Sequence, residues 1–145
     1  LVLRPFEIGD HVAVSDQSGV VLSLALFHTK LRSDEGVDIV VPNNDVLKNP
    51  IRNMSHYPDR ILTVTLDVAA SADLGAALTA LRQTIDAQPL VLKELPSTVA
   101  VQAIAGGSSS VRVRAWVRNA DHQEARTQFL CAARAKLQSA GISLA

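Results

Sequence analysis

The run Arg4-Pro5-Phe6-Glu7-Ile8-Gly9-Asp10-His11-Val12, followed by Gly19-Val20-Val21 and by Val41-Pro42-Asn43, decides how the first part of this chain is read. Pro5 fixes its own φ and steers Arg4 away from helix, so the apolar stub Leu1-Val2-Leu3 stops abruptly there. Gly9-Asp10 turns the chain, and Val41-Pro42-Asn43 closes an apolar strand with a residue that donates no backbone hydrogen. The stub reads as the tail of a preceding segment and the chain as a fragment.

Outward from that run, the pattern is one of short β-rich stretches: His11 to Ser15, Gly19 to Phe27, Thr29 to Ser33, Val37 to Val41 and Ile51 to Met54. Asp16-Gln17-Ser18-Gly19 and Asp34-Glu35-Gly36 each place Gly last in a polar cluster, which predicts hairpin turns. Asn43-Asn44-Asp45 offers capping side chains to a single helical or 3₁₀ turn at Val46-Leu47-Lys48, before Pro50. Five short strands and one such turn predict a small Sm-like β barrel over residues 1–57.

The grammar changes after Tyr57-Pro58, where polar residues and a proline separate two apolar regions. Arg60 to Ala69 alternates as a strand. Ser71 is the expected N-cap of a helix whose inner face carries Leu74, Ala77, Leu78, Leu81 and Ile85. Val99 to Ala105 and Ser110 to Arg118 form a hairpin across Gly-Gly-Ser-Ser, the second strand alternating Val111, Val113, Ala115 and Val117 with Arg112, Arg114, Trp116 and Arg118. Asp121-x-x-Glu124 predicts a capping box for a helix with Ala125, Phe129, Ala132, Ala133, Leu137 and Ala140 inward, stopped by Gly141. The order βαββα over residues 58–145 is ferredoxin-like with its last strand truncated after Ile142-Ser143-Leu144, and the whole chain falls in the α+β class.

Composition narrows the function classes. Fourteen basic residues balance fourteen acidic ones, and the pI of about 7.1 lies far from the value above roughly 9 that marks a nucleic-acid-binding domain. Aromatic residues make up 3% of the chain, leaving few stacking platforms and a core of Val, Leu, Ile and Ala. The lone Cys131 forms no intrachain disulfide, reads as a small buried hydrophobe, and suits a reducing compartment. No apolar stretch reaches the roughly 20 residues that cross a bilayer, so the printed residues read as soluble.

Candidate chemistry is sparse. His11, His28, His56 and His122 lack metal-ligand spacing. Gly106-Gly107-Ser108-Ser109-Ser110 has neither the lysine of a phosphate loop nor a nucleophile elbow, and reads as a hairpin turn. Asp34, Glu35 and Asp38 flank a turn glycine and read as solvated charges. The row Arg112, Arg114 and Arg118 is open to three readings: cross-strand pairing, an anion-lined surface, or a plain solvated face. No catalytic group, metal or cofactor is expected, and the chain is not read as an enzyme.

Taken together, Arg4-Pro5-Phe6, Gly9-Asp10, Gly19-Val20-Val21, Thr29 before Leu31-Arg32, Gly36, Val41-Pro42-Asn43, Asn53-Met54-Ser55, Val111 to Val117 and Ala140-Gly141-Ile142 resemble the small-conductance mechanosensitive ion channel family over almost the whole chain. The resemblance implies the region below the pore: an Sm-like β domain and an α/β domain that build a vestibule as a homo-oligomeric, sevenfold ring on the cytoplasmic face of the inner membrane. It implies a parent that opens under membrane tension and releases ions and small solutes on hypo-osmotic shock, with the membrane reached through the parent's own helices and no nucleic acid as partner. Leu1 to Leu3 would end the pore helix, and Arg4, Pro5, Phe6, Pro42 and Asn43 would couple that helix to the ring or lie at the subunit interface. Two departures stand out: Asn44 replaces the small residue often found there, and Ala70 replaces a frequent aromatic. The competing readings are an Sm-like RNA-binding protein and a small-molecule-sensing regulatory domain.

Overall fold

In the strand His11–Val14 (β1), Val12 and Val14 turn inward while His11 and Ala13 do not, the period of two that a half-buried strand requires. The computed structural model, which describes residues 5–145, continues this pattern through β2 (Gln17–Leu24), β3 (His28–Arg32), β4 (Asp38–Pro42) and β5 (Ile51–Asn53). These make one antiparallel sheet in the order β4-β3-β2-β1-β5. The short helix α1 (Asn43–Lys48) lies between its two edge strands in sequence. Phe6, Val12, Val14, Val21, Leu31, Val41 and Val46 form the core of this unit, which ends at Pro58.

Five strands and one helical turn agree with the expected β domain, but no ladder joins β4 to β5 among the described residues, so hydrogen bonds do not close the barrel. Pro42 ends β4 and β5 has three residues, all already matched to β1. Gly19 corrects a second expectation. It lies inside β2 opposite Val12, and the turn is Ser15-Asp16, with Ser15 at φ 53. A Cβ on Gly19 would stand 2.4 Å from the Arg32 carbonyl oxygen, so this glycine permits strand contact rather than a turn.

The second unit, Asp59–Ala145, is built on β6 (Asp59–Ala69), β7 (Thr98–Ala105) and β8 (Ser108–Arg118) in the order β6-β8-β7. Helices α2 (Leu74–Asp86) and α3 (His122–Ser139) cover one face, burying Ala77, Leu81, Ile85, Phe129, Ala133 and Leu137 against Leu62, Val64, Val111, Val113 and Val117. The β7–β8 turn is the pair Gly106-Gly107, since Ala105 pairs with Ser108. Gly141, at φ +73, ends the last helix turn, and Leu144 then bridges Val68 on the outer edge of β6.

Three local expectations fail here for identifiable reasons. The cap of α2 is Asp73, whose carboxylate accepts from the Ala76 N–H at 3.1 Å; Ser71 is too far upstream to reach the first turn. Asp121 precedes α3 with helical rather than extended backbone (φ −99, ψ −3), so its side chain makes no cap bond, and Glu124 accepts from Gln128 instead. Cys131 is exposed, because two residues on from the buried Phe129 the helix has turned its other side outward.

Candidate functional site

Asn43 is the polar hub of the first unit's rim. Its backbone N–H donates to the Phe27 carbonyl at 2.9 Å. Its side-chain amide donates to the carbonyls of Ala25 at 2.9 Å and Leu26 at 3.0 Å. Its Oδ1 accepts from the Thr29 hydroxyl at 2.9 Å, and Thr29 is itself buried. Asn43 is thus not a helix cap, since α1 has no side-chain cap bond. It fastens the end of β4 to the tip of the β2–β3 hairpin. An amide suits this position because the tip presents two carbonyl oxygens and the Thr29 hydroxyl needs an acceptor, and one Asn side chain satisfies all three.

The tip that Asn43 holds is apolar. Leu26 is 82% exposed and Phe27 78%, and Leu47 on α1 beside them is 82% exposed. Next to them lies a groove of about 560 Å³ lined by Pro5, Phe6, Leu24, Leu26, Thr29, Asn43, Val46, Leu47 and Ile51 among others. Three large apolar side chains thus stand exposed at this hydrogen-bonded tip and on the helix that follows β4.

A second polar set fastens the leading segment. The Asp10 carboxylate accepts from the Glu7 N–H and from the Asn53 side chain, each at 3.0 Å. The Asn53 amide also donates to the Pro5 carbonyl at 3.2 Å. Asn53 Oδ1 accepts from Ser55 N–H, and the Ser55 hydroxyl accepts from His11 N–H, both at 2.9 Å. The bond from the Glu7 backbone, then that from Asn53 and the nearby His56, hold the Asp10 carboxyl below its ordinary value.

Of the residues read from sequence, Pro5, Phe6 and Asn43 line one groove, with Phe6 in the core at 5% exposure. Pro42 ends β4 opposite His28, exposed and one residue from the hub. Arg4 and the Leu1 to Leu3 stub lie outside the described residues. Sequence reasoning missed Thr29's partnership with Asn43, it missed Leu26 and Phe27 by reading a strand through to Phe27, and it read Leu47 only as part of a helical turn. The available signal was a hairpin tip, Ala25-Leu26-Phe27, made of residues that do not favour turns. Among the described residues no three His, Cys, Asp or Glu side chains converge as metal ligands do. The site offers shape and anchoring.

Residues 1–56 match the profile of the mechanosensitive ion channel β-domain, and residues 62–144 match that of the mechanosensitive ion channel MscS C-terminal region. The chain belongs to the mechanosensitive ion channel family. An uncharacterised MscS family protein of Buchnera aphidicola is 31% identical over 121 residues, covering 83% of this chain and 40% of the relative. The small-conductance mechanosensitive channel of Edwardsiella ictaluri is 30% identical over 122 residues, covering 84% of this chain and 43% of that protein. The closed-state crystal structure of Helicobacter pylori MscS superposes with a TM-score of 0.90 at 23% identity, over 99% of this chain and 57% of that one, and shares its fold. This chain therefore spans about two fifths of the length of those two curated MscS-family relatives. No helix among its described residues is long and apolar enough to cross a membrane.

Proposed function

We propose that these residues form the vestibule module of a channel that opens under membrane tension and lets ions and small solutes leave the cell on hypo-osmotic shock. The module assembles as a homo-oligomeric ring, a heptamer in the full-length parent, on the cytoplasmic face of the inner membrane. The division of labour follows the chain: residues 1–57 form the β domain that receives the pore helix, and residues 58–145 add to the wall of the vestibule. Family membership supports the channel role.

The observation that carries the coupling role is the apolar groove beside the Asn43 hub. It lies next to Pro5 and Phe6, where the chain comes in from the Leu1 to Leu3 stub, and it presents Leu26 and Leu47 to whatever packs there. A pore helix seated in that groove would feel the β domain through apolar contact. On this reading Arg4, Pro5, Phe6, Pro42 and Asn43 are the coupling or subunit-interface positions, of which Pro5, Phe6 and Asn43 line the groove. The arrangement is suited to transmit force and contains no step of bond making.

Patch-clamp recording of the full-length channel in liposomes tests this reading. Suction is expected to open a stretch-activated conductance, and Leu47→Asn is expected to move its tension threshold or its closing rate while leaving the melting temperature of the module unchanged. A full-length protein that inserts but never opens under suction up to membrane rupture would overturn the channel reading. A Leu47→Asn channel that gates like the parent would overturn the coupling role alone.

A further inference from the structure

The uncovered face of the second unit's sheet carries a row of like charge. On β8 the residues Val111, Val113, Ala115 and Val117 lie buried on the helix side, so Arg112, Arg114, Trp116 and Arg118 occupy the opposite face, where all three arginines are exposed. The β-strand partners do not neutralise them. Arg112 stands between Thr65 on β6 and Ala100 on β7, and Arg114 between Thr63 and Thr98. Asp59 is opposite Arg118 but not within ion-pair distance, and the ion pairs among the described residues, His11–Asp34 and Arg32–Asp38, both lie in the first unit. Asp67, diagonal to Arg112, accepts the Ser110 hydroxyl. Cross-strand pairing of the arginines is therefore excluded.

We infer that this face binds a small multivalent oxyanion of the phosphate type, centred on Arg112 and Arg114. Residues two apart on one strand project about 6.6–7 Å from each other on the same face, close enough for one pyrophosphate-sized anion to meet both guanidinium forks. Arginine suits such a ligand because its planar donors match two oxygens at once. The hydroxyls of Thr63, Thr65 and Thr98 border the pair and supply further donors. An anion also relieves the repulsion between the neighbouring guanidinium groups of Arg112 and Arg114, neither of which has an ion-pair partner among the described residues.

The single tryptophan of the chain, Trp116, sits on this face between Arg114 and Arg118 and provides a built-in reporter. Inorganic pyrophosphate is titrated into the chain at constant ionic strength made up with chloride, following tryptophan fluorescence and the melting temperature. A saturable response in either is expected. Arg112→Gln and Arg114→Gln should each weaken it roughly three- to tenfold, as expected for removal of one charge contact near the surface, and the double substitution should abolish it with the fold intact by circular dichroism. Arg134→Gln on α3 should leave it unchanged. Silence of both readouts, or an undiminished response in the double variant, would overturn the inference. So would a single-stranded oligonucleotide that binds the same arginines more than tenfold tighter than pyrophosphate at equal phosphate, which would make the face a nucleic-acid surface.

Discussion

At the scale of single residues, Asn43 does more than its place before a helix suggests. Its two amide donations and one acceptance tie together three segments of the rim. With roughly 1 kcal/mol for each such bond, Asn43→Ala should lower stability by about 3 kcal/mol in urea denaturation. Asn43→Asp should cost more, since it sets a carboxylate against two carbonyl oxygens. Gly19→Ala should also destabilise, by about 1–3 kcal/mol, because the added methyl meets the Arg32 carbonyl, a backbone atom held in the β2–β3 ladder. His122 gives a pH prediction. Burial, with Arg60 and then Arg126 nearby, holds its imidazole below the usual 6.5 despite the contact with the Ile61 carbonyl. The folded state therefore binds fewer protons than the unfolded one. The stability this provides is present above pH 6.5 and is lost as pH falls through the folded value. Melting curves between pH 7.5 and pH 5 should show a decline of about that origin in the parent, and a flatter profile in His122→Gln.

At the scale of elements, the β2–β3 hairpin and α2 illustrate what pattern reading captures and what it misses. The alternation on β8 and the helical spacing from Leu74 to Ile85 come directly from residue periods, and both elements form as expected. Their ends do not follow so simply, because an end depends on which side chain reaches which backbone group. Asp73 caps α2 from the position next to its first residue, so Asp73→Ala should cost about 1 kcal/mol, measurable as a shift of the denaturation midpoint, whereas Ser71→Ala should be near neutral. The stretch Gly19 to Phe27 reads as one continuous strand because all its residues tolerate extended backbone. The Ala25 N–H closes the turn on the His28 carbonyl at 2.9 Å, and the tie from Asn43, eighteen residues away from Ala25, holds Ala25–Phe27 as a tip. The edge of β6 is likewise taken by Ser143–Ala145, with Ala69 N–H donating to the Ser143 carbonyl and Ala145 N–H to the Asp67 carbonyl.

At the scale of the whole molecule, two separate cores stand behind two profiles of one family, the first around Val12, Val14 and Leu31 and the second around Phe129, Leu81 and Leu137. Phe129→Ala should cost about 3–5 kcal/mol in the second. The chain spans some two fifths of the length of two MscS-family relatives, and the ring we propose is that of the full-length parent. Sedimentation should then find monomers or weak oligomers at micromolar concentration, and a tight heptamer would contradict that. The amino-acid sequence by itself determined the class, the strands and helices and most of their buried faces, with Cys131 and Ala140 exposed against expectation, because residue period and turn chemistry are local properties that survive without knowledge of contacts. It also determined the family, through Arg4-Pro5-Phe6, Val41-Pro42-Asn43 and their companions. The tertiary structure alone decided that Asn43 clamps an apolar tip, that the barrel's edge strands stay unjoined, that Gly19 is a packing glycine, and that Arg112 and Arg114 face threonines rather than carboxylates. Each of these is a meeting of residues far apart along the chain, fixed by sheet register, and register is set by the balance of all the cross-strand contacts at once.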